Sequence, residues 1–178
     1  MKLYAADNLT DRAGAYALLE RGALECWALS PLPKMSREAG GKPCFPELPN
    51  LHFNLSHSGP YALCALGQRP VGVDIQVVKE NWREGLPRRV CSEGELAWLE
   101  GQSDRREAFT ALWSLKEARV KYTGAGLGAG LRTTAVPLPL PGESLYRLDG
   151  LYFRIFSGLG WCAAVCGEEL PPAEIIWI

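Results

Sequence analysis

Between Leu51 and Val78 three short runs, LHFNLS, YALCALG and PVGVDIQVV, follow one another with only Ser/His/Gly and Gln/Arg/Pro turns between them. Runs this short, apolar and bounded by turn formers are strands, too short to be helices of ordinary length. The second and third are expected to pair as a hairpin. Side chains on a strand alternate between its faces, so Asp74 and Gln76 point the same way from an otherwise apolar run. Any fold for this chain has to accommodate a polar pair on an otherwise apolar strand.

Around that block the pattern repeats in outline. KLYAA near the start reads as a strand, and Thr10-Asp11 opens an Ala/Leu-rich helix running to about Trp27. The segment from Ser30 to Asn50 holds five prolines and Gly40-Gly41, which predicts an irregular stretch lying over the surface. Ser92-Glu93-Gly94-Glu95 is a capping box, and Asp104 with Glu107 opens a longer helix to about Tyr122 that Gly124, Gly126, Gly128 and Gly130 end. SLYRLDG, LYFRIFSG and WCAAVCG return to strand, with EIIWI at the end. Two helix-then-strands segments meeting near Val71 to Asp74 imply an α+β protein of two related lobes, residues 1–72 and 73–178. The chain contains no strict internal repeat.

Composition limits the function. At 178 residues with 47% hydrophobic and 22% charged content, the chain matches a globular protein. A net charge of −1 lacks the basic surplus of a nucleic-acid binder. No apolar stretch reaches the length needed to span a bilayer, and MKLYAADNLTDR lacks the apolar core of a signal peptide, so a cytoplasmic protein without membrane partners is expected. The six cysteines form no C-x-x-C pair and are read as reduced, mostly buried thiols.

Three stretches can carry chemistry. FNLSHSG places Ser56 beside His57, and Asp74 downstream invites a catalytic triad. The G-x-S-x-G elbow is absent, and neighbours at a strand end diverge, so a nucleophile and its base would not meet. Ser and His followed by Gly can instead donate to a phosphate oxygen, or simply satisfy a turn. VGVDIQ offers two oxygen-bearing side chains on one face, either a seat for a hard cation or the polar side of a solvent-facing strand. In FTALWSLKEARVKYTGAGLG, Trp113, Glu117 and Lys121 share one helical face beside an apolar stripe of Phe109, Leu112 and Val120. Glu117 and Lys121 are also well spaced for a surface ion pair. The glycines that follow close a helix rather than opening one, which argues against a dinucleotide site.

Taken in order, GKP at 41–43, FNLSHSG at 53–59, VGVDIQ at 71–76 and the W-x-x-K-E-x-x-x-K block within 109–128 resemble the signature blocks of the Sfp-type 4′-phosphopantetheinyl transferases. The resemblance covers about residues 11 to 130. It implies two similar α+β lobes related by a pseudo-twofold, with the active site in the cleft between them. It also implies transfer of the phosphopantetheine arm of coenzyme A to a serine of an apo acyl or peptidyl carrier protein, leaving adenosine 3′,5′-bisphosphate. A monomer follows, because one chain supplies both lobes.

The same resemblance implies residue roles. Asp74 and Glu117, with Gln76, would hold Mg²⁺ against the diphosphate, whose negative charge must be offset during attack. Lys116 and Lys121 would neutralise phosphate oxygens, and Glu117 or a metal-bound water would take the serine proton. Ser56 and His57 would bind a phosphate of coenzyme A, most naturally the 3′-phosphate. Arg12, Lys42 and Pro43 match positions at the nucleotide end. The carrier would dock on an apolar patch near the glycine run or residues 77–100.

Two departures stand out. Much of the family has D-x-E where this chain has Asp74-Ile75-Gln76, so weaker metal binding is expected. Little of the family's N-terminal segment has a counterpart before Asp11, so contacts to the 3′-phosphate are expected to be fewer or to fall more on Arg12 and Lys42. Both departures motivate a rival reading, a non-catalytic module that binds coenzyme A or carrier protein through a degenerate metal site.

Overall fold

The computed structural model describes residues 1–8, 13–81, 85–126 and 130–178. The expected helix start at Thr10-Asp11, Arg12, and Gly128 of the glycine run lie outside them. In chain order the elements are β1 (Lys2–Ala6), α1 (Ala13–Trp27), β2 (Ser36–Arg37), β3 (Pro43–Cys44), β4 (His52–Ser58), β5 (Tyr61–Gly67), β6 (Val71–Val77), α2 (Leu86–Val90), α3 (Glu93–Glu100) and α4 (Arg105–Thr123). A 3₁₀ turn (Leu131–Thr133) then leads to β7 (Leu145–Leu148), β8 (Leu151–Gly158), β9 (Trp161–Gly167) and β10 (Ile176–Trp177).

These strands form two four-stranded sheets, ordered β10-β1-β5-β4 and β6-β9-β8-β7, besides a small β2-β3 ribbon. The connectivity occurs twice: a first strand, then helix, then a hairpin whose second strand returns antiparallel to the first. This is the α+β, two-lobed architecture expected from the sequence. The last strand, β10, comes back to the first sheet and pairs in parallel with β1. The expected boundary between residues 72 and 73 falls inside β6.

Two expectations need correcting. The hairpin joins β4 to β5, not β5 to β6. Gly59 at φ 55 supplies the left-handed backbone of its two-residue turn, with Ser58 opposite Tyr61. Beyond β5, Pro70 has no N–H to donate, and β6 crosses to the second sheet to pair with β9. The segment from Ser30 to Asn50 is likewise not all surface. It folds β2 onto β3 and buries Phe45 against Phe53, ring centroids 4.7 Å apart.

Period-two alternation builds the layers. Leu3, Ala5, Leu63 and Ala65 of the first sheet pack against Val71, Val73, Ile75, Ala163 and Val165 of the second. The opposite face of the first sheet, with Tyr4, Ala62, Cys64 and Leu66, takes Ala15, Leu18, Leu19 and Ala23 of α1. The opposite face of the second, with Phe153, Ala164 and Cys166, takes Phe109, Leu112, Leu115 and Ala118 of α4. All six cysteines are free thiols, four of them buried. No described helix is long and apolar enough to cross a membrane.

The caps behave as the sequence predicts. Ser92 and Glu95 close a reciprocal capping box on α3, Asp104 accepts from the amides of Arg106 and Glu107, and Gly124 ends α4 in the left-handed conformation at φ 69. Glu95 does a second job. Its carboxylate meets Lys116 Nζ at 2.8 Å, and that fully buried ammonium also donates to the carbonyls of Leu131 and Thr134 at 2.8 Å each. Two segments, α3 and the 3₁₀ turn with its C-cap, are thereby tied to α4 by one side chain.

At the crossing of β6 and α4 the backbones almost touch, since a methyl group at Gly72 would lie 2.0 Å from the Ala118 carbonyl oxygen and 2.4 Å from the Tyr122 nitrogen. Gly72→Ala is expected to destabilise the fold by about 1–3 kcal/mol, read as a lower urea midpoint at unchanged slope. An unchanged midpoint would mean that β6 can lift off α4 without penalty. Lys116→Met strands a buried carboxylate and should cost about 3–5 kcal/mol, partly recovered in Lys116→Met/Glu95→Gln. Wild-type stability in the single variant would deny the pair a structural role.

Candidate active site

The site begins at an edge. β6 is the outer strand of its sheet, so the N–H groups of alternate residues point away from β9 with no strand beside them. β4, the outer strand of the other sheet, answers with side chains. Asn54 Oδ1 accepts from Val73 N at 2.8 Å, Ser56 Oγ from Ile75 N at 3.2 Å, and Ser58 Oγ from Val77 N at 3.1 Å. Residues 54, 56 and 58 share one face of β4, which is why N-L-S-H-S can do this.

Ser56 also fixes the chemistry of its neighbour. Its hydroxyl donates to Asp74 Oδ1 at 2.8 Å, and the same oxygen accepts from Lys121 Nζ at 3.0 Å. Lys121 Nζ reaches Asp74 Oδ1 directly at 2.7 Å. Asp74 Oδ2 takes a hydrogen bond from Gln76 Nε2 at 3.0 Å, while Gln76 Oε1 accepts from Ser58 Oγ at 3.3 Å. A buried carboxylate, 1% exposed, is thus held by a serine, an ammonium and an amide.

Glu117 stands one helical turn before Lys121 on α4. Burial pushes its carboxyl up, Asp74's negative charge pushes it further, and Lys121 opposes both. Two carboxylates facing one cleft repel each other, and a hard cation between them relieves that repulsion. Among the described residues no group of three or more His, Cys, Asp or Glu is placed to hold a metal. The donor set nevertheless fits a hard divalent ion that keeps several waters, because two carboxylates suffice for Mg²⁺ when a phosphate supplies further oxygens. The ammonium 2.7 Å from Asp74 Oδ1 marks where positive charge is accepted.

These groups open into a cleft of about 430 Å³ with two unlike walls. One wall, from β6 and α4, carries Asp74, Gln76, Trp113, Glu117 and Lys121. The other, from α1, the β2-β3 ribbon and β4, carries Ala15, Tyr16, Arg37, Pro43, Leu55 and His57, with Ser56 at the seam. A wall that carries two carboxylates faces one that is aromatic, apolar and cationic.

Several residues singled out from the sequence do not reach the cleft in the expected way. Lys116 points into the interior, its ammonium consumed by Glu95 and two carbonyls, and is not available to a phosphate. Lys42 Nζ donates to Val71 O at 2.9 Å and Tyr122 O at 3.5 Å, tying β6 to the end of α4, and burial pushes its ammonium down. Ser56 lines the cleft but spends its only proton on Asp74, so it has none to give a phosphate. The carbonyl of Gln76 is turned to Ser58, and its nitrogen faces Asp74. Ser56 is buried toward β6 while His57 is exposed on the opposite face of β4, so the triad never assembles. Arg12 lies outside the described residues.

Arg37 and Tyr16 were missed. Neither sits in a motif, and Arg37 reaches the wall only because the ribbon sets it opposite Pro43. Gly40-Gly41 was the one sign of that turn.

With this geometry in view, similarity to known proteins takes on a structural meaning. Residues 70–166, the stretch from β6 through β9, match the 4′-phosphopantetheinyl transferase superfamily. The chain is 37% identical over 143 residues to "4′-phosphopantetheinyl transferase Sfp" of Bacillus subtilis (strain 168), covering 76% of this chain and 63% of that protein. It is 42% identical over 136 residues to "4′-phosphopantetheinyl transferase AcpT" of Salmonella typhi, covering 72% and 69% respectively. To the AcpT of Escherichia coli (strain K12) it is 44% identical over 108 residues, 57% of this chain and 54% of that one. The match to the Bacillus relative thus spans less than two thirds of that protein's length. On the extent of these similarities, the chain belongs to the 4′-phosphopantetheinyl transferase superfamily.

Proposed function

We propose that this protein transfers the 4′-phosphopantetheine moiety of coenzyme A to a serine of an apo acyl or peptidyl carrier protein, with Mg²⁺ as cofactor. The observation that carries the reading is the pairing of Asp74 and Glu117 with Lys121 on one wall of a cleft whose other wall suits a nucleotide. Both walls belong to one chain, which favours a monomer.

In this reading the serine Oγ of the carrier attacks the β-phosphorus of coenzyme A. The bond from that phosphorus to the bridging oxygen breaks, and adenosine 3′,5′-bisphosphate departs with the electron pair. A metal held by Asp74 and Glu117 would supply charge compensation at the diphosphate. Lys121 turns its ammonium from Asp74 to a phosphate oxygen, a short move because one of its three donors is uncommitted to the two partners it has. Gln76 and Ser56 keep Asp74 oriented throughout. Glu117, whose carboxyl burial pushes up, takes the serine proton at a side-chain oxygen.

A binding-only module has less in its favour, since retaining two repelling buried carboxylates serves no purpose in holding a polyanion. Incubation with coenzyme A, Mg²⁺ and several apo carrier proteins, followed by intact mass, is expected to give the phosphopantetheine adduct. Coenzyme A binding without any adduct would favour the module instead. Glu117→Gln should lower transfer by about 100-fold or more while melting no lower than wild type, because it removes one of two neighbouring negative charges. Undiminished turnover in that variant would remove Glu117 from the chemistry.

A further inference from the structure

We infer that Arg37 is the residue that selects a nucleotide bearing a second, isolated phosphate, the 3′-phosphomonoester of coenzyme A. The inference rests on the coenzyme A reading above and adds Arg37 to the recognition that the sequence motifs placed on Ser56 and His57, with Arg12 and Lys42 at the nucleotide end, on the wall that Arg37 shares with His57.

Successive side chains of β4 alternate between its two faces. Asn54, Ser56 and Ser58 point to β6 and are used up there. Leu55 and His57 point the other way, toward the side of the sheet that α1 covers, and line the cleft with Tyr16, Pro43 and Arg37. The ligand's diphosphate belongs at the opposite wall, where Lys121 and the carboxylates are. A second phosphate on the same ligand therefore needs its own cation on the β4 side.

Arg37 is the side chain suited to that need. Lys42 is bound to the Val71 and Tyr122 carbonyls, and Lys121 to Asp74 and Ser56. Arg37 pairs with no carboxylate among the described residues, so its charge faces the cleft uncompensated by them. It is also prepositioned. Its backbone is in register with Pro43, and Nη1 donates to Gly41 O at 2.8 Å, closing the guanidinium onto its own turn. The turn is itself braced by Glu38 N to Lys42 O at 2.9 Å and Gly41 N to Glu38 O at 2.8 Å. It abuts the end of α4 closely enough that a methyl group at Gly40 would lie 1.5 Å from the Gly124 carbonyl oxygen.

A guanidinium anchored by one N–H still presents a planar fork of donors, the geometry that binds a phosphomonoester bidentately. Tyr16, with Pro43 and Leu55, offers the apolar and aromatic surface on which a purine can rest. The combination reads a nucleoside by its base and its extra phosphate together.

Calorimetry on the full chain, titrated with adenosine 3′,5′-bisphosphate and separately with adenosine 5′-monophosphate, tests this without catalysis. Wild type should prefer the bisphosphate by about tenfold or more, the scale of a charge-assisted bond. Arg37→Met should bring the two affinities to within about twofold by weakening only the bisphosphate, and Arg37→Lys should fall between. Equal weakening of both ligands in Arg37→Met, or an undiminished preference for the bisphosphate, would overturn the assignment, as would a wild type that does not discriminate. Should discrimination hold while no carrier protein is modified, the transfer reading fails and the phosphate site stands.

Discussion

The whole arrangement depends on how two exposed sheet edges are reconciled. β4 and β6 lie side by side without forming a strand ladder, and three side-chain oxygens stand in for the missing carbonyls. Unpaired edge amides buried between layers would each cost on the order of 1–3 kcal/mol. Answering them with Asn54, Ser56 and Ser58 joins the lobes at a spacing wider than a β-ladder allows. That extra width is what admits a cleft. Had the edges paired directly, the sheets would have fused into one and closed it.

The same side chains link stability to chemistry. Ser56 satisfies Ile75 N with its lone pair and Asp74 with its proton, so the residue that seals the seam also aims the carboxylate. Ser58 does the equivalent for Val77 N and Gln76, and Gln76 in turn holds the other oxygen of Asp74. Asp74 is therefore fixed from both sides by groups whose first duty is to the fold. Glu117 is left as the carboxylate without such support, and the electrostatic cost concentrates on it. A protein selected for stability alone would have relieved that charge.

Local patterns made much of the fold legible. The strand runs, the capping box at Ser92, the cap at Asp104 and the glycine stop at Gly124 all act within a few residues, and the sequence carries such signals faithfully. What failed was pairing across distance. YALCALG and PVGVDIQVV looked like neighbours because they are consecutive, yet which strand lies beside β6 is decided by β9, about ninety residues away. The site divides in the same manner. Strand and helix periods fixed the faces of Asp74, Glu117 and Lys121, and only the family resemblance singled them out as a site. Arg37 and Tyr16 were not legible in either way, since only the tertiary path of the ribbon and α1 brings them to the cleft.

The lysines of α4 make the limit of motif reasoning concrete. Lys116 and Glu117 are adjacent letters of one block, but successive helical residues diverge by about 100° around the axis. Glu117 shares its face with Trp113 and Lys121 and looks into the cleft, whereas Lys116 is rotated into the interior, where Glu95, Leu131 and Thr134 enclose it. A block such as W-x-x-K-E-x-x-x-K thus encodes two requirements at once. One is a row of side chains at i, i+4 and i+8 that faces the cleft. The other is a buried cation that pins α3 and the 3₁₀ turn to the helix presenting that row. Residue type alone does not separate them, because a lysine meets either need. The helical phase does: it turns Lys121 into the cleft and Lys116 into the framework that holds the helix.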